Sequence, residues 1–179
     1  MRALLGGAAV VMSVVVPAEQ AGAVAVAGAR PVVAGVVMPA GMRAQGRVRA
    51  QAAGYAAGAQ AAAGVQRKRS KIVAYARSKV GSAYRRGATG PKAFDCSGLT
   101  KKAYAKAGIT LPHSSYQQAA KAKRIPRSQA RPGDLVVGPG HVGIYMGSGK
   151  MIDAGNPRVG VRHRKMYRGL HVERLPALG

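Results

Sequence analysis

His141-Val142-Gly143-Ile144-Tyr145-Met146-Gly147-Ser148-Gly149-Lys150-Met151-Ile152-Asp153-Ala154 reads as two strands around a glycine-rich turn. Apolar residues alternate with small or polar ones on both sides of Gly147-Ser148-Gly149, the pattern of a β-hairpin. Successive side chains of a strand point to opposite faces, so loop length decides which residues share a face. A three-residue loop pairs position 146 with 150 and sets 143 opposite 153. His141, Gly143 and Asp153 then share one face, and Val142 and Ile144 turn to the other. The diagonal from 141 to 153 is about 7–8 Å at the backbone, close enough for an imidazole and a carboxylate to meet. A two-residue Ser148-Gly149 loop would put them on opposite faces. Small Gly143 leaves space beside the histidine.

Working outward, Gly133–Val137 reads as a turn into a strand, and Val159–Arg164 and His171–Leu175 supply two more. Before Pro126 the pattern is helical. Ser70 is a plausible N-cap, and Ile72, Val73, Ala76 and Val80 recur at helical spacing as far as Gly81. A second helix starts at Asp95 or Cys96, buries Leu99, Ala103 and Tyr104, and stops at Gly108. A third covers Ser114–Ala122, and Tyr84–Ala93 reads as a loop. Helices first and strands after predict an α+β domain, its N-terminal helices packed on an antiparallel sheet.

The rest of the chain lacks this patterning. Met1-Arg2 precedes an uncharged stretch, Ala3–Ala18, and then small residues at Ala21-Gly22-Ala23 and Ala27-Gly28-Ala29. That predicts a secretory signal peptide over residues 1–29, and so a secreted or wall-associated protein. The apolar stretch falls short of the roughly 20 residues that span a bilayer, which argues against a transmembrane anchor. Residues 30–69 are rich in Ala, Gly, Gln and Arg and read as a disordered linker. Gly46, Gly54, Gly58 and Gly64 would each cost a helix there about 1 kcal/mol relative to Ala. The folded domain is therefore expected over residues 70–179.

The net charge is +24, with Glu19, Asp95, Asp134, Asp153 and Glu173 the only acids. Such a surface attracts polyanions: nucleic acid, anionic lipid or an anionic wall polymer. Nucleic-acid recognition usually adds stacking aromatics, and only 4 % of this chain is aromatic, so no specific nucleic acid is expected. No His/Cys cluster has metal-ligand spacing and no phosphate-binding glycine motif occurs.

The single cysteine lies in Ala93-Phe94-Asp95-Cys96-Ser97-Gly98-Leu99. It cannot form an internal disulfide and is either a small buried residue or a working thiol. Attack requires the thiolate, which the first turn of a helix favours through its dipole and unpaired amides. His141 could pair with it, taking up the proton and delivering it to a leaving amine. Asp153 could accept from the imidazole Nδ1–H, with Asn156 as the second candidate orienter. His113, His163 and His171 read as surface or turn histidines, Asp134 as a turn former, and Tyr104, Tyr116, Tyr145 and Tyr167 as packing residues.

Four blocks in order resemble the NlpC-type cell-wall cysteine peptidases, a papain-like family acting on bacterial peptidoglycan. They are Phe94-Asp95-Cys96-Ser97-Gly98-Leu99, Gly133-Asp134-Leu135, His141-Val142-Gly143-Ile144-Tyr145 and Lys150-Met151-Ile152-Asp153-Ala154, and the likeness covers roughly Ser70–Leu175. The resemblance implies a papain-like core with Cys96 as nucleophile, His141 as base and Asp153 as the third, polar member. It places Tyr84, Asp95 and Ser97 at the substrate site, and implies a monomer without metal or cofactor. The implied reaction is hydrolysis of an amide in the peptidoglycan stem peptide, commonly the D-glutamyl to diamino-acid bond, through a thioester. The chain departs from the family at Tyr84-Arg85-Arg86-Gly87-Ala88, where Tyr-x-Trp-Gly-Gly is common, and at Asp153, where His, Asn, Gln or Glu is more usual. Two other functions use the same residues: a non-catalytic cationic module that binds the wall or another polyanion, and a Cys–His amidase or acyltransferase acting on another substrate.

Overall fold

The computed structural model describes residues 40–179. The expected signal peptide and the first part of the linker lie outside the described residues. Helix α1 runs unbroken over Ala40–Ser78. The expected start at Ser70 is therefore absent, and the disordered linker is corrected to helix from Ala40 onward. Alanine is the strongest helix former, and its abundance here outweighs the scattered glycines. From Gln51 to Ala63 the helix is exposed on every side, and burial begins only near its C-terminal end, where Arg69, Ile72 and Ala76 are at most 3 % exposed.

Two short strands, β1 (Ala83–Tyr84) and β2 (Ala93–Phe94), pair in parallel within the expected loop. Helix α2 spans Cys96–Ala105 and α3 spans Ser115–Ala120, capped by the side chains of Asp95 and Ser114. Five strands follow where five were expected: β4 (Leu135–Gly138), β5 (His141–Gly147), β6 (Lys150–Ala154), β7 (Val161–Lys165) and β8 (His171–Arg174). One strand between α3 and β4 was not anticipated. Lys123–Ile125 (β3) is too short and too charged to show alternation; it pairs with β8, and Ile125 packs against the cluster that holds Val172. The sheet order is β3-β8-β4-β5-β6-β7, antiparallel throughout.

Leu135, Val137, Val142, Ile144, Ile152 and Val161 pack with Ile72, Phe94, Leu99, Ala103 and Tyr104 from the helices. The opposite face of the sheet carries a smaller cluster of Val136, Tyr145, Met151, Leu170 and Val172. Each of the large aliphatic side chains contributes about 1.5–3 kcal/mol on full burial.

The hairpin at the centre of the sheet reaches its expected register by another route. Gly147 pairs with Lys150, so the loop is the two-residue Ser148-Gly149 turn, with φ of 50° at Ser148 and 69° at Gly149. Taken alone that turn would separate His141 from Asp153. A bulge between Tyr145 and Gly147 leaves Met146 unpaired, however, and restores Tyr145 opposite Met151 and Ile144 opposite Ile152. The extra residue sits in the strand rather than in the loop, and the face assignment is the expected one.

Asp134 is not simply a turn former. It is fully buried and accepts from Arg69 Nη1 at 2.8 Å, Arg174 Nη2 at 2.9 Å and the Arg131 amide at 2.8 Å. Arg69 also donates to the Pro132 and Leu178 carbonyls, both at 3.1 Å. The residue assigned to the end of a linker thus anchors α1 to the sheet, and the folded unit begins before Ser70.

Candidate active site

Helix α2 begins at Cys96 because Asp95 caps it. Asp95 Oδ1 accepts from the Gly98 amide at 2.6 Å and from Ser97 Oγ at 3.2 Å, and Oδ2 accepts from the Gly87 amide at 2.7 Å. His113 Nε2 lies 2.9 Å and 3.1 Å from the two Asp95 oxygens, so His113 is not a free surface histidine. Burial would raise the Asp95 pKa, but the hydrogen bonds from His113, Gly98 and Gly87 hold it below the usual carboxylate range. Gly98 is required by close approach: a Cβ there would stand 2.1 Å from the Ala88 carbonyl oxygen. Every neighbour of the cysteine in this motif therefore fixes the start of the helix.

Cys96 is a free thiol in the first turn of α2, half-buried beside the apolar core. His141 opens β5 and is hydrogen-bonded to Asp153, with the Cys96 sulfur near enough to favour its charged form. Its Nε2 donates to Asp153 Oδ2 at 2.8 Å. The ring nitrogen facing the carboxylate is thus Nε2, not Nδ1 as anticipated. The physical reason is reach: the diagonal partner across the hairpin meets the far end of the imidazole. Asp153 fits because position 143 is glycine; a Cβ there would come within 3.1 Å of Asp153 Cβ. Asn156, the alternative orienter, instead accepts from the amides of Arg158 and Val159 at 3.0 and 3.1 Å.

Burial disfavours the charged form of His141, but the hydrogen bonds to Asp153 and Cys96 outweigh it and raise the pKa to about 9. Burial likewise opposes the charged form of Asp153, and hydrogen bonds from His141 and Arg164 reverse that, lowering its pKa. The arrangement favours an imidazolium held between a thiol and a fully buried carboxylate.

Sequence reasoning missed two residues here. Arg164, on β7, donates to Asp153 through both Nε, at 2.9 Å, and Nη2. Tyr167, read as packing, is 45 % exposed, with its ring centroid 6.2 Å from that of His141. Of the residues expected to contact substrate, Tyr84 is half-buried and packs on the core, while Asp95 and Ser97 are buried beneath the site. His171, expected on the surface, bonds Glu173 at 2.8 Å, at the far end of the sheet. Among the described residues no group of His, Cys, Asp or Glu could hold a metal ion.

Residues 81–176 match the NlpC/P60 family. The chain is 53 % identical over 88 residues to the probable endopeptidase p60 of Listeria monocytogenes, covering 46 % of this chain and 18 % of that protein. It is 50 % identical over 88 residues to a probable endopeptidase of Corynebacterium glutamicum, covering 48 % of this chain and 42 % of that one. The chain therefore spans less than half the length of these relatives. Among solved structures it resembles the peptidoglycan hydrolase RipB of Mycobacterium tuberculosis, with TM-score 0.58 and 27 % identity over 63 % of this chain and 67 % of that one. The P60 domain of an antigen from M. avium subspecies paratuberculosis gives TM-score 0.56 and 29 % identity, over 62 % of this chain and 96 % of that domain. These neighbours share its α+β, papain-like arrangement of helices on an antiparallel sheet.

Proposed function

Since the chain belongs to the NlpC/P60 family through residues 81–176, we propose that it is a peptidoglycan hydrolase, a cysteine endopeptidase cutting an amide bond of the stem peptide. The observation that carries this reading is one imidazole hydrogen-bonded to a fully buried carboxylate and lying beside the lone thiol in the first turn of α2. In the proposed reaction Cys96 Sγ attacks the scissile carbonyl as a thiolate, and the His141 imidazolium gives its proton to the departing amine. A thioester remains. His141 then takes a proton from water, whose oxygen displaces the sulfur and leaves a free carboxylate. The D-glutamyl to diamino-acid bond is the proposed point of cleavage.

Secretion is part of this proposal, supported by the leader-like residues 1–29. Attraction to anionic wall polymers is another part. Asp95, Asp134, Asp153 and Glu173 are each at most 9 % exposed, and each is hydrogen-bonded to Arg or His. Lys and Arg therefore dominate the charge of the described surface.

Purified peptidoglycan digested with the full chain should release fragments whose masses place a new amine and carboxylate within the stem peptide. Intact peptidoglycan after prolonged incubation sinks the substrate reading. The pH profile supplies a second check. His141 must be protonated to donate to the leaving amine, and its raised pKa keeps it so up to about 9. Turnover on soluble muropeptide should therefore persist through neutral pH and fall as pH rises through about 9. An alkaline limb near the ordinary imidazole value, about 6.5, would contradict the proposed ion pair.

A further inference from the structure

Arg164 lies on β7 opposite Met151, two residues along the sheet from Asp153 and on the same face. Its Nε donates to Asp153 Oδ1 at 2.9 Å and its Nη2 to Oδ2, the same oxygen that accepts from His141 at 2.8 Å. A fork of this kind fixes the plane of the carboxylate as well as its position. We infer that Arg164 is a positioning residue for the proposed chemistry, holding the Asp153 carboxylate so that its Oδ2 aims the His141 imidazole at Cys96. This rests on reading Cys96 and His141 as the reacting pair.

Three features support the assignment. Asp153 is a short, fully buried side chain, so it cannot follow a displaced histidine. Its orientation has to come from a neighbour. Second, room is kept for the guanidinium: a Cβ at Gly155 would stand 2.8 Å from Arg164 Nη2. Third, Tyr167 braces the group, its ring centroid 5.3 Å from the guanidinium carbon and 6.2 Å from the centre of the His141 ring. A surface ion pair would show none of this enclosure, and the Arg164 side chain is only one-third exposed while Asp153 is fully buried.

The charged groups around the pair are few. Asp153 faces His141 from β5 and Arg164 from β7. Arg162 is opposite Asp153 in register, but its Nε is bonded to the Val159 carbonyl at 2.9 Å. His141 faces Cys96 from α2 and Tyr167 from the segment after β7. Arg164 is the arginine hydrogen-bonded to Asp153.

Cys96 is the only cysteine, so alkylation with iodoacetamide followed by mass measurement reads that sulfur alone, without substrate. The full chain is compared with Arg164→Gln and Arg164→Lys from mildly acidic to alkaline pH, with Tm recorded on the same samples. In wild type the imidazole that the Asp153 carboxylate orients stands beside the sulfur. Arg164→Gln removes both the fork and a positive charge, so the ratio of acidic to alkaline rates should fall at least about threefold. Arg164→Lys keeps the charge without the fork and should fall between the two. An Arg164→Gln profile that superimposes on wild type overturns the inference, even if Tm falls, because a purely structural ion pair would behave so. If Arg164→Gln does not fold, an Arg164→Lys profile identical to wild type overturns it. A reactive wild-type thiol without peptidoglycan cleavage would sink the substrate reading and leave the role of Arg164 standing.

Discussion

Cys96→Ala should release no peptidoglycan fragments above a protein-free control, a loss on the order of 10⁶-fold in turnover if the sulfur is the nucleophile. No other thiol exists to replace it. The adjacent hydroxyl cannot serve, because Ser97 is 6 % exposed and its Oγ donates to Asp95 at 3.2 Å. The substitution removes one half-buried sulfur and should change unfolding free energy by about 1 kcal/mol or less. Loss of activity with an unchanged denaturation midpoint is therefore the expected pair of results. Retention on wall material at low salt should survive, since the basic surface is untouched. Equal digests from wild type and variant would end the peptidase claim and favour the binding-module alternative.

Asp134→Ala should be the most damaging change away from the site. It leaves Arg69, 3 % exposed, as a buried cation whose remaining acceptors are carbonyls, and it strips Arg174 of a carboxylate bonded at 2.9 and 3.1 Å. Breaking a buried pair from one side costs about 3–5 kcal/mol, against a total of about 5–15 kcal/mol for a typical domain. Denaturant titration should show the midpoint falling accordingly, with α1 freed from the sheet. Asp134→Asn keeps the shape and loses only the charge, and should fall between alanine and wild type. A loss of under about 1 kcal/mol for alanine would mean that α1 is held by its apolar contacts alone.

The proposed Cys96–His141 pair was legible because its determinants are local. A capping aspartate, a close-packed glycine and a strand of alternating residues announce themselves within a few positions. The partnership of His141 with Asp153 was also legible, although for a partly wrong reason: the odd residue is the bulged Met146, not a third loop residue. Face counting needs the total offset across a hairpin and cannot say where the extra residue sits. Arg164 was out of reach because the β6–β7 register depends on how the chain turns through Gly155–Gly160, and residue spacing does not encode that. Asp134 was misread because its charged partners lie 65 and 40 positions away, while the turn signal of Pro132-Gly133-Asp134 is immediate. The length of α1 was underestimated because the glycine penalties were given more weight than the helix-forming alanines of Gln45–Gly64.

The four internal carboxylates also determine how the exterior responds to its surroundings. Apart from His163, which is exposed, the described surface presents chiefly Lys and Arg, which stay charged throughout the acidic and neutral range. The four carboxylates among the described residues are committed to internal partners. Adhesion of this domain to an anionic matrix is thus governed by ionic strength, with screening over about 10 Å at 0.1 M salt, and is nearly indifferent to acidification.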